Sequence, residues 1–485
     1  MISSWQVIWL AVAGLWLGAG VYADISIGAS DALPLELQRH LGKLGIPPAA
    51  VSLVVTEVDA EIPLIAWHAD APRNPASVMK IVTTFAALSE LGPGYQWQSE
   101  IRRTGLIRNG TLEGDLVFVG GGDPYFVAED LWSLVQQLEL RGIHSVAGDF
   151  IIDNTYFDVP DHDAGAFDGR RYRPYNVGPG AALFNFGNTD FYLVPLAGRA
   201  TVEIRHAPHA RGLNVVSEVR QIAGACRGNR IKLRLNVEQQ EGQYTVRFSG
   251  RYPASCGRYH LSRAVLPSDE LLFGAFANQL TERGGELRGN LLIGTSPSDA
   301  TRIMRVSSRT LAEVIRSINK FSNNVMSRQL FLTVGAHQSG APATVEKAQR
   351  AVARILDEHK VLMPHLNMAN GSGLCRDCTV TASGLIAMLQ AAWNSTFMPE
   401  FFASLPVPGE DGALKNRFQS GKFKGRIHMK TGTIDHVSAA AGLVHGEGGR
   451  RYLFVLLMNH HNIHRGKGQA FQRRLMNWLT SLQSR

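Results

Sequence analysis

Cysteine is scarce in this chain, with four residues in 485, too few for a fold of this length to be held together by disulfides. Charge is sparse as well: Asp, Glu, Lys and Arg make up 19%, and no run of one sign stands out. Set against 45% hydrophobic residues, this composition excludes a disordered or collagen-like chain and supplies ample material for a core. The net charge of +8 comes from 49 Lys and Arg against 41 Asp and Glu. Spread along the chain, that excess suits an anionic polymer nearby and does not indicate nucleic acid. Repeats and low-complexity linkers are missing, and beyond residue 21 no apolar stretch is long enough to cross a bilayer.

The one long apolar run is WQVIWLAVAGLWLGAGV at residues 5–21. Val21 and Ala23 then stand at the −3 and −1 positions of a cut before Asp24. Residues 1–23 read as the signal peptide of an exported protein, soluble or at most in peripheral contact with a membrane. No Lys or Arg precedes the run, so an uncleaved N-terminal anchor is the rival reading. Export permits disulfides. Cys226 and Cys256 flank the alternating Ile231, Leu233, Leu235 and Val237 and could staple a small β unit. Cys375 and Cys378 form a lone C-x-x-C. Zinc would need two more soft ligands, so the pair reads as a tight local disulfide or two free thiols.

Residues 50–57 and 63–67 read as a β-hairpin, and a helix begins near Pro75 and stops at Gly-Pro-Gly after Leu91. From about 97 to 300 short strands alternate with glycine turns. Helical periodicity returns at 311–335 and 343–359. Strands follow at 426–433, 438–445 and in RRYLFVLLMNH, then an amphipathic helix at 468–482. The outline is an α/β framework at both ends of the chain, 24–95 and 300–485, around a β-rich insertion at 96–299. The insertion divides in two, with an inner unit at about 190–265.

Three short motifs carry chemistry. Ser77-Val78-Met79-Lys80 is an S-x-x-K in the first turn of a helix, where i, i+3 spacing puts hydroxyl and amine on one face. A serine needs a base to become nucleophilic, and a neutral lysine can serve if burial or a nearby cation lowers its pKa. Ser317-Ile318-Asn319-Lys320 matches the same pattern, so S-x-x-K alone decides little. Ser322-Asn323-Asn324 adds S-x-N, and Lys430-Thr431-Gly432 adds K-T-G on a strand continuing into Thr433. Together and in this order they form the signature of serine β-lactamases and penicillin-binding proteins.

Longer stretches extend the likeness: PASVMKIVTTFAAL, GDLVFVGGGDP, INKFSNNVMSRQL, NGSGLCRDCTVTASGL, SLPVPGEDGALKNRF and MKTGTIDHVSAAAGLV. From about 75 to 460 the chain resembles the class C low-molecular-mass penicillin-binding proteins, the D-alanyl-D-alanine carboxypeptidase/endopeptidase family. It departs from that pattern at Cys375, Cys378 and Ser327, all outside the three motifs.

The resemblance implies a β-lactamase/transpeptidase-like α/β catalytic domain carrying the insertion, in a periplasmic enzyme. It implies a serine carboxypeptidase, also an endopeptidase, acting on peptidoglycan pentapeptides and cross-linked peptides and acylated by β-lactams, with no metal or organic cofactor. Ser77 would attack, Lys80 accept its proton, Ser322 relay a proton to the leaving amine, and Asn324 hold the substrate amide and Lys80. Lys430 and Thr431 would bind the terminal carboxylate. Gly432 would let the substrate backbone lie close, and the Ser77 and Thr433 N–H groups would hold the oxyanion. A β-lactamase would need a fast deacylating base, and no glutamate motif for one stands out. A penicillin-binding sensor would need transmembrane signalling segments.

Asp123 and Asp153 read as turn formers or strand-end caps. The resemblance offers another role for Asp153, with Phe157 and Arg376, lining the cleft near the peptide's diamino acid. His460, His461 and His464 form an H-H-x-x-H on a loop without a carboxylate, a poor metal site. The C-terminal helix reads as packing on the catalytic sheet, with a membrane clip as the rival.

Overall fold

Strand Val51–Glu57, VSLVVTE, is apolar at successive positions, as expected of a strand covered on both faces. The computed structural model describes residues 32–419 and 423–482, so the expected signal peptide lies outside the described residues. In it, Val51–Glu57 sits inside a five-stranded antiparallel sheet ordered Ile427–Ile434, Val437–His445, Arg451–Asn459, Val51–Glu57, Ile65–Trp67. Alternate side chains serve opposite layers. Leu453, Val455 and Leu457 pack with Val82 and Phe85 of helix Met79–Leu91 and Leu385 of helix Ala382–Asn394. Phe454, Leu456 and Met458 pack with Leu37 and Leu41 of helix Leu35–Leu44 and Phe471 and Leu475 of helix Lys467–Thr480. The chain's two ends therefore build one sheet, and the C-terminal helix buries its apolar stripe on it. None of the described helices is long and apolar enough to cross a membrane.

The residues between the ends form sheets of their own. Gln98–Arg103, Leu116–Val119, Phe150–Asp153, Leu291–Ile293 and Thr301–Ser307 make a five-stranded mixed sheet, and two further three-stranded sheets lie within 189–263. Their core, with Phe118, Phe150, Phe191, Phe248 and Phe276, is separate from the two cores of the catalytic sheet. A Cys226–Cys256 disulfide staples the inner sheets, and Cys375–Cys378 closes the short loop.

The stretch 311–335 differs from expectation, and so does the insertion, which adds helices Ala128–Glu139 and Ser268–Glu282 to its strands. Periodicity predicts a continuous helix over 311–335, but the structure holds two, Leu311–Phe321 and Asn324–Ser339. Ser322 is left-handed at φ 58° and ends the first, while the Asn323 side chain accepts from Met326 N and starts the second. Ser, Asn and Asn are poor helix-interior residues and good caps, a signal that the apolar repeat on both sides masks. The break projects Ser322 out of the helical wall.

Leu475 is fully buried between helix Lys467–Thr480 and the sheet. We expect Leu475→Ala to lower unfolding stability by about 3 kcal/mol. Urea denaturation measures this, and a loss below about 1 kcal/mol would contradict the packing.

Candidate active site

The site begins with a strained turn. Ala76–Val78 is a single 3₁₀ turn leading into helix Met79–Leu91, and Ala76 has φ 45°, a left-handed conformation costly for alanine. Asn74 holds it there. Its Oδ1 accepts from Ala76 N at 2.8 Å, and its Nδ2 donates to the carbonyls of Cys375 and Arg376 at 2.9 and 3.1 Å. Asn459, at the end of its strand, pairs with the backbone of Asn74 through both amide atoms, at 2.8 and 3.0 Å. Asn74 and Asn459 carry no motif signal, and sequence reasoning missed both.

Lys80 lies one turn after Ser77 and is fully buried. Its Nζ is 2.6 Å from Asn324 Oδ1, 2.6 Å from the Ser372 carbonyl and 3.0 Å from Ser77 Oγ. The first two groups only accept. They occupy the two N–H groups of a neutral amine and leave its lone pair for the Ser77 hydroxyl. Burial drives the Lys80 pKa well below the usual lysine range, and repulsion from Lys430 and Arg328 adds to the shift. All of these effects favour the neutral amine. Asn324 is oriented in turn by its Nδ2, which donates to the Tyr175 carbonyl at 3.0 Å. Because that carbonyl only accepts, the amide oxygen must face Lys80.

Lys430 projects from the strand beside this turn, 1% exposed. Its Nζ donates to Ser322 Oγ and to the Thr431 carbonyl, both at 2.9 Å. Burial pushes its pKa down to about 7. Gly432 is required by approach: a Cβ there would strike the Pro75 carbonyl oxygen and stand 2.9 Å from Ser77 N. The strand thus lies directly against the turn that carries Ser77. The structure gathers Ser77, Lys80, Ser322, Asn324, Lys430, Thr431, Gly432 and Thr433 around one place.

The other candidates are not drawn in. Asp153 is buried, with Oδ1 taken by Thr155 N and Oγ1 and Oδ2 by Ser296 N, so it caps its strand. Phe157 packs among Ala181, Leu332, Ala336 and Ala343, where the insertion meets helix Asn324–Ser339. Arg376 stays half-exposed over the Phe167 ring at 4.2 Å and 3.6 Å from Asp435. Asp123 accepts from Tyr125 N, a turn former. Lys320 of the second S-x-x-K faces Asp411 at 2.7 Å and the Leu405 carbonyl at 2.6 Å instead of Ser317. His464 Nδ1 accepts from His436 N and Asn462 N donates to His436 Nδ1, and no group of three metal-binding side chains exists among the described residues.

Two pKa shifts of opposite consequence meet here. Lys80 could act as a base only without its proton, and Lys430 could attract a carboxylate only with one. We expect kcat/KM for a carboxylate-bearing peptide to fall as pH rises through about 7, where Lys430 loses its proton. In Lys430→Arg this alkaline limb should disappear, since guanidinium keeps its charge. An unchanged limb in that variant would assign it to another group.

Residues 34–482 match the D-Ala-D-Ala carboxypeptidase 3 (S13) family. The chain is 29% identical over 455 residues to a D-alanyl-D-alanine carboxypeptidase of Actinomadura sp., spanning 90% of this chain and 83% of that protein. It is 26% identical over 388 residues to the carboxypeptidase DacB of Haemophilus influenzae, covering 79% and 80% of the two. In fold it is similar to crystalline penicillin-binding protein 4 of H. influenzae, with a TM-score of 0.75 at 22% identity over 93% of this chain and all of that one. The nucleophile turn, the buried lysine pair and a match running almost the full length of the chain lead to one conclusion. The chain belongs to the D-Ala-D-Ala carboxypeptidase 3 (S13) family.

Proposed function

We propose that Ser77 is the nucleophile and Lys80 the general base of a serine D-Ala-D-Ala carboxypeptidase acting on peptidoglycan peptides. One observation carries this reading most: a buried Lys80 amine whose N–H groups are used by Asn324 and Ser372 and whose third direction is Ser77 Oγ. Ser77 attacks the carbonyl between two D-alanines as Lys80 takes its proton. The oxyanion sits between the N–H groups of Ser77 and Thr433, and losing one such donor costs roughly 10² to 10³ in rate. Ser322, hydrogen-bonded to Lys430, passes a proton to the departing amine. Water then releases the acyl group and Ser77 is regenerated. Lys430 and Thr431 hold the terminal carboxylate, and a β-lactam carboxylate enters the same place. Penicillin-binding protein 4 of H. influenzae, similar in fold, has been crystallised in complex with a β-lactam, which supports β-lactam binding at this site.

Cleavage of D-alanyl cross-links belongs to the same proposal, since the same acyl-enzyme serves both reactions. Arg376, at the rim, is the residue we assign to the side chain of the diamino acid; Asp153 and Phe157 serve the fold. The catalytic domain is built from the two ends of the chain around the insertion, expected at 96–299; strand Thr301–Ser307, paired with Gln98–Arg103, extends the insertion past that boundary to about 307. Two disulfides suit an oxidising compartment, in keeping with export to the periplasm.

Incubation with pentapeptide and cross-linked muropeptides, followed by chromatography, should show D-alanine release or dimer splitting by the wild type and none by Ser77→Ala. Undiminished hydrolysis by that variant would move the nucleophile elsewhere. Wild-type acylation by penicillin with both peptides left intact would favour a sensor. Lys430→Ala should weaken carboxylate-bearing substrates more than esterified analogues, and an equal loss would refute the carboxylate role.

A further inference from the structure

The segment between strands Phe150–Asp153 and Thr189–Val194 passes over helix Asn324–Ser339 and is stitched to it at three points. Asn324 donates to the Tyr175 carbonyl, Arg328 Nη1 donates to the Val177 carbonyl, and Gln329 accepts from Gly180 N at 3.0 Å and donates to its carbonyl at 2.8 Å. Arg328 is the chemically odd member. Its side chain is buried, its Nε has no partner, and no carboxylate neutralises it among the described residues. Burial lowers its pKa only to about 10, so at neutral pH it remains a full cation. Burying an unpaired charge is costly, and the helix places that charge deliberately close to the reaction.

Arg328 lies four residues after Asn324, on the same helical face, and Asn324 Oδ1 touches Lys80 Nζ. The backbone at 371–372 joins the two helices here. The Gly371 carbonyl accepts from Thr83 at 2.6 Å and from Ser327 at 2.9 Å, and the Ser372 carbonyl accepts from Lys80. Two cations act on Lys80, Lys430 from the strand while it keeps its proton and Arg328 from the helix throughout the neutral range, and both repel a proton there. Its remaining neighbours, Ser77, Asn324 and the Ser372 carbonyl, are neutral. Across a cavity of about 220 Å³ Arg328 meets Asp161, His162 and Asn370. His162 is held by the Asn176 carbonyl at 2.6 Å and driven toward neutrality mainly by burial.

We propose that Arg328 is a positioning residue whose unneutralised charge disfavours a proton on Lys80 and so keeps that amine ready for the Ser77 proton. This rests on the reading of Lys80 as the base. The bond to Val177 is the anchor that fixes where the charge stands, and it ties the insertion to the Tyr175 carbonyl that orients Asn324.

The test is the pH dependence of acylation by a fluorescent penicillin, followed with intact wild-type and variant proteins. In Arg328→Met and in the polar Arg328→Gln, the acidic limb should move upward by about one pH unit. Acylation below the limb should drop about tenfold, while above it the variants should match the wild type within a few-fold at each pH, including the alkaline fall that Lys430 sets. Arg328→Lys keeps the charge and should leave the limb in place. An unmoved limb in both neutral variants overturns the proposal. A limb displaced equally by lysine also overturns it, and leaves Arg328 only the anchoring of Val177. Arg328→Gln retains hydrogen-bonding capacity and supplies the answer if the methionine variant does not fold. Loss of acylation in Lys80→Met checks the base assignment separately; if Lys80→Met is still acylated, that assignment fails whatever Arg328 does.

Discussion

Everything in this protein's chemistry turns on one buried amine. Lys80 contributes no packing that a methionine could not, and taking an ammonium out of water is costly. The fold tolerates it because three separate stretches of chain converge on its Nζ: Ser77 from the same helix, Asn324 from the next, and Ser372 from the disulfide loop. Two acceptors and one hydroxyl can serve either protonation state, and burial tips the balance toward the neutral amine. The surrounding charges act in the same direction, since Lys430 and Arg328 both disfavour protonation. The geometry that makes Lys80 tolerable in the core also sets its amine beside the Ser77 hydroxyl, which is what the proposed base role requires.

Holding that arrangement requires a rigid frame. The antiparallel sheet built from both ends of the chain carries Lys430 and Asn459. Asn459 reaches Asn74 and Asn74 reaches the carbonyls of Cys375 and Arg376, so sheet, nucleophile turn and loop are bound in one hydrogen-bonded chain. Ala76 is kept left-handed within it, the kind of local strain that persists only where surroundings over-determine it. The insertion joins the frame through Tyr175, Val177 and Gly180. Its separate core is large, yet its connection to catalysis is a few backbone carbonyls laid along one helix.

Much of this was legible from sequence because motifs are local. Ser77 and Lys80 share a helical face by spacing alone, Lys430 to Gly432 sit on a strand whose alternation is plain, and Phe471, Leu475 and Leu479 declare the stripe that packs on the sheet. The break at 322–324 was not read from sequence, because the flanking apolar periodicity masked the cap residues that form it. The second S-x-x-K shows the limit of such reading. Ser317 and Lys320 have the right spacing, but Lys320 is committed to Asp411 and Leu405, partners about 90 residues downstream that no local pattern reveals.

By itself, then, the order of residues determined the elements, their buried faces and the identity of the three motifs, since these follow from spacing within a few turns of helix or a single strand. Only the tertiary structure decided which serine lies beside a buried, unpaired lysine, that Asp153 caps a strand and Phe157 fills an interior joint, and that Asn74 and the Tyr175 carbonyl hold the residues around Ser77 in place. The reason is physical. Whether an amine keeps its proton, or an amide points its oxygen one way, depends on burial and on charges and carbonyls supplied from distant parts of the chain. Those neighbours exist only once the two ends have closed into one sheet and the insertion has settled over the helix.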